Sequence, residues 1–169
     1  MKKDFFEDSK IKFPAYEPWI SEDDKKSINK TLSQSMLTLG PQLEKFEENF
    51  CKYSKAKYAV AVSNCTAALH LSLLALGIGK DDEVIIPDLT FVADANAVLA
   101  CNAKPVVADI NKENFFLSIS NVKKNISKKT KAIIPVHIYG QVCNIDEILD
   151  LAKDHNLKVV EDCAHAVGT

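Results

Sequence analysis

Toward the end of the chain, the apolar run Leu157-Lys158-Val159-Val160 delivers Glu161-Asp162-Cys163-Ala164-His165, a carboxylate and an imidazole three residues apart. The carboxyl end of a β-type run is where open α/β sheets gather their chemistry. A carboxylate at such a place can hold a positively charged ring nitrogen, and an imidazole beside it can donate a hydrogen bond or move a proton. The plain alternative is an aspartate that caps the next segment and a histidine satisfied by the backbone.

Two more turns follow β-type runs. Ser63-Asn64-Cys65-Thr66-Ala67-Ala68-Leu69 is a strand-to-helix turn of small residues. Its first amides, the helix dipole and the Thr66 hydroxyl make an anion pocket, although helix capping alone accounts for the same residues. It lacks the glycine fingerprint of a dinucleotide site and the G-K-[ST] of a nucleoside triphosphate loop, which favours a single phosphate. Pro87-Asp88-Leu89-Thr90-Phe91 presents an aromatic that could stack on a flat ring or simply join the core. A phosphate cradle, a stacking ring and a carboxylate for a ring nitrogen are together what pyridoxal 5'-phosphate requires.

The elements that must position these residues read as α/β. Strands are expected over 58–62, 83–86, 105–109, 132–136 and 158–161, with helices over 66–76, 91–101, 120–126 and 145–156 between them. Strands alternating with helices imply βαβ crossovers and a three-layer αβα sandwich around a mainly parallel sheet. Ahead of this, Pro14, Pro18 and Trp19 mark an extended arm, Ser21-Glu22-Asp23-Asp24 reads as a helix start, and Gly40-Pro41 precedes an acidic helix over 42–53. Residues 1–40 are therefore expected to form an amino-terminal arm and helix, and 41–169 the sheet domain. No helix-forming segment follows the last strand to cover it, so the domain is expected to be incomplete at its carboxyl end.

In this order, Val60-Ala61-Val62-Ser63-Asn64-Cys65-Thr66-Ala67-Ala68-Leu69-His70-Leu71, Asp82-Glu83-Val84-Ile85-Ile86-Pro87-Asp88-Leu89-Thr90-Phe91-Val92-Ala93, Ala132-Ile133-Ile134-Pro135-Val136-His137-Ile138-Tyr139-Gly140 and Glu161-Asp162-Cys163-Ala164-His165 resemble the DegT/DnrJ/StrS-type nucleotide-sugar aminotransferases. These are pyridoxal-phosphate enzymes of the aspartate-aminotransferase-like fold type I. The resemblance implies that residues 41–169 are part of a PLP-binding large domain. It places Cys65 and Thr66 at the cofactor phosphate, Phe91 against the pyridine ring, Asp162 at the ring nitrogen and His165 near the phenolic oxygen, with Asp162 and His165 as the catalytic pair. Many relatives have glycine or alanine in place of Cys65, so its side chain is expected to point away from the phosphate. His137 and Tyr139 match family positions and are expected to be buried at the sheet edge.

The resemblance further implies that the Schiff-base lysine lies past the Asp162–His165 segment. Lys104, Lys131, Lys153 and Lys158 fall at strand starts or helix ends, on the opposite edge of the sheet. The expected function is transfer of an amino group from an amino acid donor such as glutamate to a nucleotide-linked keto-sugar. This chain would be an amino-terminal part of that enzyme, inactive alone and homodimeric when full length. Alternatives are a family dehydratase, with histidine in place of the lysine, and a short non-catalytic binding or dimerisation module with a residual PLP pocket. A Rossmann-type nucleotide binder fits the βαβ pattern but lacks its glycine motif.

Composition agrees with this. The 169 residues are 47% hydrophobic and 26% charged with a net charge of −2, and the lysines are scattered without aromatic interleaving, so no nucleic-acid partner is expected. Acids interrupt residues 1–8 and no apolar run is long enough to span a bilayer, which implies no membrane and a cytoplasmic protein. Five scattered cysteines and four histidines form no zinc or H-E-x-x-H spacing, so no metal is expected.

Overall fold

The computed structural model describes residues 18–169. The start of the expected arm, with Pro14 and residues 1–8, lies outside the described residues. The chain divides into two compact units, the first ending at Ala59 and the second running Val60–Thr169.

In the first unit, α1 (Glu22–Leu32) opens with a capping box: the Ser21 hydroxyl accepts from the Asp24 amide, and the Asp24 carboxylate accepts from the Ser21 amide. The second helix, α2 (Pro41–Ser54), begins with proline at its first position and ends where Lys55 turns left-handed at φ 58°. Neither helix has a buried residue, and Trp19, Leu39, Phe46 and Tyr53 are exposed.

The second unit is built on four parallel strands, β1 (Glu83–Pro87), β2 (Lys104–Ala108), β3 (Thr130–Ile133) and β4 (Lys158–Val159), ordered β2-β1-β3-β4. After Glu83, central strand β1 is apolar and buried through Pro87, as expected of a strand covered on both faces. Val84 and Ile86 join Ala132 and Ile134 beneath α3 (Cys65–Ala75) and α4 (Ala93–Ala100), through Leu69, Leu73, Ala97 and Val98. Ile85 and Ile133 face the other way, onto α5 (Ile119–Asn125) and α6 (Ile145–Asp154), through Val122, Ile148 and Leu151. The period of two in the strands thus feeds two cores, giving the expected three-layer αβα sandwich.

Several elements differ from expectation: β4 ends at Val159 and not at 161, and three further differences have local reasons. Strand β3 stops at Ile133 because Pro135 has no N–H for the ladder, and pairing resumes as an isolated parallel bridge between Val136 and Asp162. Helix α4 begins at Ala93 and not at Phe91, because the Thr90 hydroxyl is spent on the Asp94 carboxylate and no side chain caps the helix. The run 58–62 forms no strand: Tyr58, Val60 and Val62 face solvent, and β propensity without packing does not make a strand.

Strand order also places the site. From β1 the chain crosses through α4 to β2 on one side, and from β3 through α6 to β4 on the other. The loops after β1 and β3 therefore diverge and open a crevice at the carboxyl edge of the sheet. Lys104 and Lys158 open β2 and β4, at the amino edge.

Candidate functional site

The crevice is lined by Thr90 and Phe91 after β1, Val136 and His137 after β3, and Asp162 and His165 after β4. Each comes from a segment that leaves the sheet at the same edge. Phe91 is 72% exposed, so its ring is free to cover a flat ligand and is not core.

Asp162 is only 5% exposed. Its Oδ1 accepts from the Ala164 amide at 2.9 Å and from the Cys65 thiol at 3.6 Å. No hydrogen bond falls on Oδ2 among the described residues, and no lysine or arginine pairs with the carboxylate. A buried carboxylate without a cation is costly, so the arrangement suits a ligand that brings positive charge.

Cys65 and Thr66 open α3. The Asn64 side chain caps the helix by accepting from the Ala67 amide at 2.8 Å. That leaves the Cys65 and Thr66 amides, at the positive end of the helix dipole, without a partner among the described residues. The Cys65 thiol donates to Asp162 Oδ1, and burial, then the Asp162 charge, pushes it up to about 11. Thr66 is exposed beside it; neither residue lines the crevice itself, and the Cys65 thiol reaches it through Asp162.

Three features were not legible as site residues. Tyr139 was expected to be buried, yet it is 67% exposed, sits left-handed at φ 55°, and stacks on His165 with ring centroids 6.4 Å apart and planes 16° apart. His137 is buried as expected, and Glu161 pairs with it at 3.0 Å. Asp94 is fully buried, the Thr90 hydroxyl bonding one oxygen and the other oxygen lacking a partner among the described residues. Burial, against the opposing Thr90 bond, pushes Asp94 up to about 6. Its one sequence signal is an acid at the start of a stripe that continues through Ala97 and Val98, the core face of α4.

His137, Glu161 and Cys163 have donor atoms within 4.8 Å of one another. The chemistry of the donors argues against a metal there. His137 Nδ1 accepts from the Cys143 amide, so the neutral ring carries its proton on Nε2, which donates to Glu161. Nε2 then has no lone pair for an ion.

The second unit is thus a parallel αβα sheet with an open helix amino terminus and a buried carboxylate at its switch point, the arrangement in which open α/β sheets bind their ligands. The chain belongs to the DegT/DnrJ/EryC1/StrS aminotransferase family, matched over residues 18–169. It is similar to GDP-perosamine synthase from Vibrio cholerae, at 44% identity over 92% of this chain and 43% of that protein. Among solved structures it is similar to S. venezuelae DesV, at 40% identity and a TM-score of 0.83, over 85% of this chain and 39% of that one. A Streptococcus pneumoniae protein solved in its PLP form matches at 30% identity and a TM-score of 0.86, over 92% of this chain and 44% of that one. The chain thus spans about two fifths of the length of these relatives. The aminotransferases of this family depend on pyridoxal phosphate.

Proposed function

We propose that this chain forms the cofactor-holding part of a PLP-dependent aminotransferase that moves an amino group from an amino acid donor such as glutamate to a nucleotide-linked keto-sugar. The observation that carries the reading is Asp162: a buried carboxylate with one oxygen free of hydrogen bonds among the described residues and no cationic partner there. The residues fit the group. Cys65 and Thr66 offer free amides to its phosphate, Phe91 an uncovered ring to its face, and Asp162 a negative charge to its ring nitrogen. Bound there, the cofactor would supply an electron sink for the pair released when the donor amino acid loses its α-proton.

The chain's own residues do the rest. Asp162 would hold the ring nitrogen and, by its opposite charge, favour its protonated form. His165, held parallel to Tyr139, presents an imidazole from the same turn to the substituents on the ring. The name GDP-perosamine synthase on a relative supports a nucleotide-sugar acceptor. The apolar side chains exposed on the first unit, Trp19 and Leu39 among them, support a homodimer. Five free cysteines support a reducing, cytoplasmic setting. No helix among the described residues is long and apolar enough to cross a membrane.

The test is titration of the purified protein and of Asp162→Asn with pyridoxal 5'-phosphate, followed by the absorbance of the bound cofactor. Binding that weakens in Asp162→Asn supports the reading. Absence of cofactor binding, or binding indifferent to Asp162→Asn, overturns it.

A further inference from the structure

Tyr139 follows the buried Ile138 in the loop after β3, and its backbone is left-handed at φ 55° and ψ 30°. A tyrosine gains nothing locally from that conformation, because its Cβ crowds the following carbonyl; glycine, asparagine or aspartate takes the position more readily. Nor does the side chain serve the core. Its ring is 67% exposed and belongs to neither hydrophobic cluster, whereas Ile138 beside it is anchored in the second. What the turn achieves is contact with the segment that carries Asp162. Gly140, itself left-handed at φ 77°, lies so close to that segment that a Cβ there would stand 3.5 Å from the His165 carbonyl oxygen. The Tyr139 ring lies nearly parallel to the His165 imidazole, with 16° between planes and 6.4 Å between centroids.

His165 lacks any other restraint on its ring. Its imidazole lines the crevice, yet the residue is exposed, and no hydrogen bond or ion pair holds the ring among the described residues. The other crevice histidine, His137, is fixed through both ring nitrogens. An imidazole without such bonds turns broadly about its last side-chain torsion, and a neighbouring aromatic face is what narrows that range. We propose that Tyr139 is a positioning residue: its ring, carried on a strained left-handed turn, holds the His165 imidazole in the plane that meets a bound cofactor. The strain persists at this position because the stack needs a side chain that glycine does not have. Tyr139 does not line the crevice and acts only through His165. The inference rests on the cofactor reading above, in which His165 meets the substituents of the cofactor ring.

Its test is the affinity of the protein for pyridoxal 5'-phosphate in a double-mutant cycle of Tyr139 and His165. Tyr139→Asn keeps a residue that tolerates the left-handed turn and removes the ring, so binding should weaken about threefold to tenfold, the range of one aromatic pair. Tyr139→Phe keeps the ring and should bind as the natural chain does. In a His165→Ala background, Tyr139→Asn should make no further difference. Tyr139→Gly removes ring and strain together, so its binding should fall as in Tyr139→Asn while its thermal midpoint does not fall, a split that a merely structural role does not produce. Tyr139→Asn binding as tightly as the natural chain, or weakening binding equally with and without His165, overturns the inference and leaves the proposed function standing. No cofactor binding by the natural chain overturns both. Should the Asn and Gly variants fail to fold, proton NMR of the natural chain decides: contacts between the Tyr139 and His165 ring protons that persist in the cofactor-bound protein support the inference, and their absence there overturns it.

Discussion

Val136 and Asp162 face each other across a parallel bridge beyond the ends of β3 and β4, where the Asp162 amide donates to the Pro135 carbonyl at 2.9 Å and the His137 amide donates to the Asp162 carbonyl at 3.1 Å. The backbone of Asp162 is thus fastened to the sheet by bonds that do not involve its carboxylate. Position and charge can be changed separately at this residue.

Asp162→Asn is therefore expected to keep the fold while losing the charge. Its thermal midpoint should stay close to that of the natural chain, whereas its affinity for pyridoxal 5'-phosphate should fall by about tenfold or more, on the order of 1.4 kcal/mol. Differential scanning fluorimetry and cofactor titration measure the two effects. Asp162→Ala should also lose the bond to the Ala164 amide and reduce both quantities, leaving residual binding through the phosphate cradle.

Asp94 gives a stability test that needs no ligand. Its folded pKa, about 6, is raised above the ordinary value of 3.8. A raised carboxyl contributes stability that is fully present below the unfolded value and is lost as pH rises through the folded one. Asp94→Asn does not titrate, so from about pH 4 to above pH 6 the natural chain should lose stability relative to it, by up to about 3 kcal/mol. Urea unfolding of both proteins at pH 4.5 and pH 8 measures this difference.

His137 should be structural. It is buried, and both ring nitrogens are engaged, Nδ1 by the Cys143 amide and Nε2 by Glu161. His137→Ala leaves a cavity and an unsatisfied buried amide, with an expected cost of about 2–4 kcal/mol. Glu161→Gln keeps an acceptor for Nε2 at a half-exposed position and should cost less than about 1 kcal/mol. Chemical denaturation of the two variants should separate them clearly.

Cys65 is exposed by residue, yet its thiol is raised to about 11 by burial of the sulfur and by Asp162. At pH 8 about one thiol in a thousand is ionised, so alkylation should be slow and should climb steadily with pH. Asp162→Asn removes the neighbouring charge and should speed modification of Cys65 severalfold. Peptide mass spectrometry after timed iodoacetamide treatment reads the rate at Cys65 directly.

Much of this protein is written locally. The apolar β1 run, the helical stripe of α6 with Ile148, Leu151 and Ala152, and the Ser21–Asp24 capping box depend on residues within a few positions of one another, and period and capping chemistry expose them to reading. Four motifs in fixed order carried the family in the same way. What sequence could not decide are relations between segments far apart in the chain. Cys65 meets Asp162 across 97 positions because β4 lies beside β3 in the strand order; Asp94 is submerged because α4 packs on α3 over the sheet; and Tyr139 stands outside because the chain turns left-handed after His137. Local pattern sets which face of an element is apolar, but the neighbour that face meets is chosen only when the sheet assembles, and with it whether an acid ends in water or in the core.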